Sequence, residues 1–281
     1  MRITITGGTG KLGRHLHEIL SQTHTVALLG READITDYGR LREAVRATQP
    51  DLVINAAAWT DVDGCAREPE KALLINGLGA QNVALAAASS QAAILHVSSN
   101  EVFNGQSQQP YNEFAPCCPI SPYGYSKWVG EQGVMQVNLC HYIVRTAWLF
   151  AHGGKNFIHA ILNTAHAGKA LRVVIDEVAN PTYNDDLAQA IAALIATKRY
   201  GTYHLVNSGA VSRYQFARTI LDTVGMSEYP IERITRAEWP RPSTPPAYAA
   251  LQNNAAASVG ITLRPWQEAV EAFLEHEKKN S

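Results

Sequence analysis

The strand-like RITIT (2–6) runs straight into TGGTGKLG (6–13), and a helical pattern begins at once. Few sequence features restrict a fold so tightly. One glycine permits the tight turn, a second lets the backbone close on a pyrophosphate, and a third lets the helix pack on the strand. Gly7, Gly10 and Gly13 take those positions, with Thr9, Lys11 and Leu12 between them. Unpaired N–H groups at the helix start then face an anion. This opening predicts the first strand–helix unit of a dinucleotide-binding fold.

The first half keeps the alternation. HTVALL (24–29), DLVINAAA (51–58), AAILHVSS (92–99) and HYIVRTAW (141–148) read as strands. Several are apolar at consecutive positions, as parallel strands covered on both faces require. Helical stretches fall near 11–21, 37–48, 68–89 and 122–138. The pattern predicts an α/β fold, a Rossmann-type doubly wound parallel sheet. Beyond about residue 150 the rhythm loosens. RVVI (172–175) and TYHLVN (202–207) read as strands, 155–167, 184–198 and 212–224 as helices, and 225–250 is proline-rich. A dinucleotide-binding domain over 1–150 is therefore expected, with a smaller C-terminal α/β substrate lobe over 151–281 whose elements interleave with the first.

A net charge of −1 gives no overall field to recruit a nucleic acid polymer or an anionic membrane. No apolar run reads as a membrane span, and Met1 leads directly into a strand, so no signal peptide is expected. Cys65, Cys117, Cys118 and Cys140 show neither zinc-type spacing nor a disulfide framework, which points to reduced thiols and a cytoplasmic location. The histidines are scattered without ligand spacing, so no metal site is expected.

An NAD-selective site offers a carboxylate at the end of the second strand. Here VALLGREAD puts Leu29, Gly30 and Arg31 in that place. Arg31 would pair with a 2′-phosphate, which favours NADP(H), with NAD(H) the alternative. Asp34 and Ile35 follow as a carboxylate and an apolar side chain able to flank adenine. Ala56, Ala57, Ala58 and Thr60 close the third strand in small residues, which lets a nucleotide pass near the backbone.

SPYGYSK (121–127) then sets Tyr123 and Lys127 one helical turn apart, on one face. A tyrosine titrates near 10 and is a poor acid–base group alone, about 3 units from neutrality. A nearby ammonium would pull that value down. Ser99, closing HVSS, can hold a carbonyl oxygen for protonation, and Ser98 is its neighbour in the same role. A half-buried tyrosine and a solvated lysine would be the plain structural reading. The order of glycine loop, strand-end serine and Y-x-x-x-K favours acid–base chemistry.

Taken together, TGGTGKLG, INAAAWTDVDGCAREPEKALLIN, SSNEVFNG, PYGYSKWVGE, VRTAWLFA, DEVANPTYNDDLA and GTYHLVNSG resemble the dTDP-4-dehydrorhamnose reductase family of extended short-chain dehydrogenases over nearly the whole chain. That resemblance implies NAD(P)H-dependent reduction of the C4 ketone of a nucleotide-activated 6-deoxysugar. Tyr123 would be the proton donor, Lys127 its electrostatic partner and Ser99 the carbonyl-binding hydroxyl, where the family commonly has threonine. Gly10, Lys11 and Leu12 would lie on the pyrophosphate, and Ala58, Trp59 and Thr60 along the cofactor. Trp148 would line the sugar pocket. The chain departs from the family at Asn100 and Glu101, which replace an aspartate and a tyrosine; Asn100 retains hydrogen bonds for a sugar hydroxyl. It also departs at TPPAYAAL, where the family shows an arginine–proline element, leaving Arg241 upstream. The other readings are a related reductase or epimerase on another nucleotide sugar, and a non-catalytic, cofactor-binding regulatory subunit. A homodimer through helices 68–89 and 122–138 is also an open expectation.

Overall fold

The structure, a computed structural model, describes residues 1–280. In chain order the first half runs β1 (Arg2–Thr6), α1 (Lys11–Leu20), β2 (Thr25–Leu29), α2 (Tyr38–Thr48), β3 (Leu52–Asn55), α3 (Val62–Arg67), α4 (Pro69–Ala72), α5 (Gly79–Ser89), β4 (Ala93–Ser99), α6 (Pro122–Val137) and β5 (His141–Thr146). The second half adds β6 (Leu149–Phe150), α7 (Phe157–His166), β7 (Leu171–Val174), β8 (Val178–Ala179), β9 (Thr182–Tyr183), α8 (Asn184–Thr197) and β10 (Gly201–His204). It closes with β11 (Val211–Ser212), α9 (Arg213–Thr223), β12 (Ile231–Ile234), α10 (Asn254–Ser258) and α11 (Trp266–Asn280).

The main sheet has six strands in the order β10-β5-β4-β3-β1-β2, all parallel. Side chains alternate across it. Ile3, Ile5, Ile54, Leu95 and Val144 join Leu16 and Leu20 of α1 and Leu187, Ile191 and Leu194 of α8 in one apolar layer. Val53, Ile94 and Ile143 face the other way, against Leu41, Val83, Ala84 and Val134. Each fully buried Leu or Ile contributes about 1.5–3 kcal/mol, so the two layers fix the strand register as well as the stability. β10 and α8 come from beyond residue 150 yet belong to this sheet and its cover. A third core, with Phe150, Phe216, Trp266 and Phe273, holds the lobe built from α7, α9, α11 and three two-stranded ribbons.

The long helix expected over 68–89 is broken in register. Leu73–Leu78 forms a π-helical stretch between α4 and α5. Wider turns of this kind re-aim side chains, often at functional sites. Here the stretch carries Asn76, whose Oδ1 accepts from the Trp59 backbone N–H at 2.8 Å while its Nδ2 donates to the Trp59 carbonyl at 3.0 Å and to Ser126 Oγ of α6 at 3.1 Å. The loop after β3 is thereby tied to the helix that carries Tyr123. The run Pro69–Ser89 is also long and apolar enough to cross a membrane by length and composition, which corrects the sequence reading. Half of its apolar window is buried inside the protein, as in the core helix of a packed domain. The same packing consumes much of the alanine-rich surface read as a dimer face: Ala80, Ala84 and Ala87 sit in the core, while Leu74, Leu78 and Tyr125 stay exposed.

Candidate active site

A cleft of about 590 Å3 opens at the C-terminal ends of β1, β3, β4 and β5, where the strand order reverses. One end is the glycine loop. Gly7 has φ 68°, and a Cβ there would come within 2.7 Å of the Ala57 backbone, so only glycine fits. α1 begins at Gly10 with no side-chain cap and no acid in its first turn. Its N–H groups and positive dipole end are left to an anion in the cleft. Two further buried polar atoms on the wall, Thr146 Oγ1 and Asn184 Oδ1, have no hydrogen-bond partner. A dinucleotide diphosphate and its flanking riboses suit this donor and acceptor set.

The cleft gathers most of the residues expected from the sequence. Gly10, Lys11, Leu12 and Gly13 line the phosphate end, and Ala56, Ala58 and Thr60 the floor beyond β3. Ser98, Ser99, Asn100, Tyr123, Lys127 and Trp148 line the far end. Gly7 and Ala57 pack back to back behind the loop. Thr9 is exposed at its rim beside Gly30.

The loop after β2 is placed differently. Ile35 is 6% exposed and packs against Val83 and its neighbours in the core, so it is not offered to adenine. The Asp34 carboxylate folds back to accept from the Thr36 backbone N–H at 2.9 Å and from the Thr36 hydroxyl at 2.8 Å. Arg31 is exposed. Glu32 was missed. Its carboxylate accepts from the Gly30 backbone N–H at 2.5 Å, a bond that holds it below its ordinary carboxylate range. It curls back to the strand end, two residues later than the position where a ribose-binding acid is sought in sequence.

At the chemical end, Ser121 caps α6, its Oγ accepting from the Gly124 N–H at 3.0 Å, and Pro122 takes the first helical position. That start sets Tyr123 over the end of β4. Burial, and then the charge of Glu101, push the Tyr123 phenol above its ordinary value, against a hydrogen bond with the Ser99 hydroxyl that pulls it back. The sequence expectation of a lowered value is thus overturned, because desolvation of the phenolate and the Glu101 charge set the direction. The phenol keeps its proton at neutral pH. Lys127, 2% exposed, donates to the Val97 carbonyl at 2.7 Å, and burial brings its ammonium down to about 8.

Asn100 turns out to be a brace. Its Nδ2 donates to the Ala249 carbonyl at 3.0 Å and its Oδ1 accepts from Ser99 Oγ at 3.3 Å. Glu101 accepts from Ser121 Oγ at 3.0 Å, and burial raises its carboxyl to about 7. An anion there disfavours a phenolate at Tyr123. Any reaction in which Tyr123 gives up its proton is therefore expected to slow as pH rises through about 7, and Glu101→Gln to remove that limb; an unchanged pH–rate profile in the variant would contradict it.

Trp148 has φ 42°, a left-handed backbone that a bulky side chain rarely adopts. It turns the chain out of β5 and sets the indole in the cleft wall. The Arg213 guanidinium lies over that ring at 3.5 Å from its centroid, and its Nε is 3.5 Å from Glu177 Oε2. Arg213 was not anticipated, since the first residue of an ordinary capped helix carries no sequence signal. Arg241 is tied to Asp63 at 2.9 Å, below the cleft's far end.

Histidines scattered in the sequence are in part brought together by the fold. His152, His276 and Glu277 bring ligand-type atoms within 4.8 Å of one another, outside the cleft. Glu277 accepts from His152 and, at 3.0 Å, from His159. None of the four cysteines is in a disulfide.

Comparison with known proteins adds to this geometry. The RmlD substrate binding domain matches residues 1–279. A spore coat polysaccharide biosynthesis protein of Bacillus subtilis, SpsK, is 38% identical over 98% of this chain and 97% of its own. A dTDP-4-dehydrorhamnose reductase of Mycolicibacterium smegmatis is 36% identical over 96% of this chain and 84% of its own. The crystal structure of dTDP-4-dehydrorhamnose reductase from Bacillus anthracis in complex with NADP superposes with a TM-score of 0.94 at 33% identity, covering 98% of this chain and 99% of that one.

Proposed function

Because the chain belongs to the dTDP-4-dehydrorhamnose reductase family, we propose that it reduces the C4 ketone of a dTDP-linked 6-deoxyhexose, dTDP-4-dehydro-L-rhamnose, with NADPH favoured over NADH. It is an NAD(P)H-dependent oxidoreductase. The observation that carries the reading is the convergence of Ser99, Tyr123 and Lys127 in the cleft that the glycine loop opens.

The α1 N-terminus, with Gly10, Lys11 and Leu12, would hold the cofactor diphosphate, and Ala56, Ala58 and Thr60 would line its path. A reduced nicotinamide bound there would supply the hydride that the keto carbon accepts. Ser99 would orient the carbonyl oxygen for it, its hydroxyl steadied by Asn100. Tyr123 gives its proton to the developing alkoxide, and Lys127 stabilises the phenolate left behind. Trp148 forms the wall against the sugar. Arg213 and Arg241 stand beyond it as the positive groups for the substrate's phosphates, in place of the arginine–proline element.

The test is oxidation of NADPH and of NADH with a panel of 4-keto-6-deoxy sugar nucleotides. Net consumption of reduced cofactor with the dTDP-linked ketone supports the reading; interconversion without net consumption indicates an epimerase instead. Arg31 and Glu32 pull cofactor choice in opposite directions, since one attracts and the other repels a 2′-phosphate. Arg31→Ala is expected to lower kcat/KM with NADPH about tenfold and to leave NADH nearly unaffected. Equal losses with both cofactors would place Arg31 away from the phosphate.

A further inference from the structure

His96 lies on β4, wholly buried beneath the catalytic helix. Its Nδ1 is 3.1 Å from Asn55 Nδ2, and its Nε2 is 3.5 Å from Lys127 Nζ. The orientation of Asn55 is fixed by its neighbours. Its Oδ1 accepts from the Ala57 backbone N–H at 3.2 Å and from the Thr6 hydroxyl at 2.8 Å. An amide oxygen so engaged turns the NH2 group toward the imidazole, and an NH2 group only donates. Nδ1 must therefore accept. A neutral ring that accepts at Nδ1 carries its hydrogen on Nε2, aimed at Lys127.

This matters because an N–H facing an ammonium is an unfavourable pairing, whereas an N–H facing a neutral amine is a hydrogen bond. Burial and the nearby Lys127 charge both hold the imidazole neutral, far below its ordinary range. The helix packs closely here because residue 130 is glycine; a Cβ there would run into the Asn76 carbonyl oxygen. The other ionisable group acting on Lys127 is Glu131 of its own helix, and Tyr123 lines the same cleft. Glu131, although paired with Arg145 from β5 at 2.7 Å and 2.9 Å, still favours the ammonium, and burial outweighs it.

We propose that His96 is a positioning residue that readies Lys127 to release its proton, by presenting Nε2–H to the neutral amine. The proton balance is closed. Tyr123 O–H gives its proton to the alkoxide; the phenolate takes one from the Lys127 ammonium; the neutral amine, donating to the Val97 carbonyl and accepting from His96, regains a proton from solvent as the site empties. The inference rests on the reductase reading, but its first test does not.

That test is 15N NMR of the protein with labelled histidine. The expected result is a neutral ring protonated at Nε2 and bare at Nδ1 across the pH range where the fold holds. A proton on Nδ1, or an imidazolium, overturns the proposal whatever the enzyme's substrate. The second test is the pH profile of kcat/KM. In the Glu101→Gln background, which removes the limb near 7, His96→Phe is expected to move the remaining alkaline limb up by about one pH unit as Lys127 returns toward its ordinary value. His96→Gln in the same background, whose amide N–H can still reach Lys127, is expected to leave that limb in place. A limb unmoved in the folded phenylalanine variant, or moved equally in both, would reduce His96 to core packing. If the phenylalanine variant does not fold, the labelled wild-type protein and the glutamine variant decide.

Discussion

Replacing Tyr123 by phenylalanine is expected to lower kcat by about 10²–10⁴-fold with cofactor affinity unchanged, the range for losing a positioned proton donor. The ring keeps its place over the end of β4, so packing is preserved and only the hydroxyl is lost. Hydride delivery would then leave an alkoxide with no acid beside it. Single-turnover measurements with reduced cofactor and ketone would isolate this step, and a fluorescence titration with NADPH would check binding. A decline of only a few-fold would remove Tyr123 from the chemistry. Raising the phenol above its ordinary value keeps the donor fully protonated at neutral pH; the same raising makes it a weaker acid. On the proposed mechanism, the Lys127 ammonium would offset that weakness at the moment charge passes to the ring.

The largest loss of stability is expected at Glu131. Its carboxylate, fully buried, accepts from Arg145 Nε at 2.9 Å and Nη2 at 2.7 Å, and from Ser98 Oγ at 2.5 Å. Arg145 lies in β5, also lies 5.3 Å from the Phe103 ring, and donates to Cys117 Sγ at 3.1 Å. Glu131→Ala strands a guanidinium without its counter-charge. The expected cost is about 3–5 kcal/mol, read as a fall in the urea midpoint with the slope unchanged. Exchanging both partners for apolar residues of similar size, Glu131→Leu with Arg145→Met, is expected to cost less than Glu131→Ala alone. A single variant within about 1 kcal/mol of wild type would show that water reaches the site and screens the charge.

Much of this was legible in the sequence because local rules and tertiary demands agree there. The glycine loop needs its residues adjacent, and the i, i+4 pair needs only one helical turn, so Gly7, Gly10, Gly13, Tyr123 and Lys127 could be read from spacing. Strand ends were harder. The third strand stops at Asn55, not at residue 58, because the Asn55 side chain accepts from the Ala57 N–H and turns the chain out of the sheet. The fifth stops at Thr146 because Trp148 takes a left-handed backbone. Glu32, Arg213 and the His152 cluster left no periodic trace. Their roles depend on a loop folding back, a helix start swinging over an indole, and segments more than a hundred residues apart meeting. Ile35 misled because an apolar side chain after a strand reads the same whether it meets a ligand or the core.

The origin of β10 has a consequence for how the molecule can be made. A nascent polypeptide released only as far as residue 150 would have β5 as an uncovered border, its backbone donors and acceptors free to recruit another chain. It would also lack α8, leaving Leu16 and Leu20 of α1 open to water. Synthesis must pass residue 204 before β10 can cover that border, and until then the open edge favours association between unfinished chains.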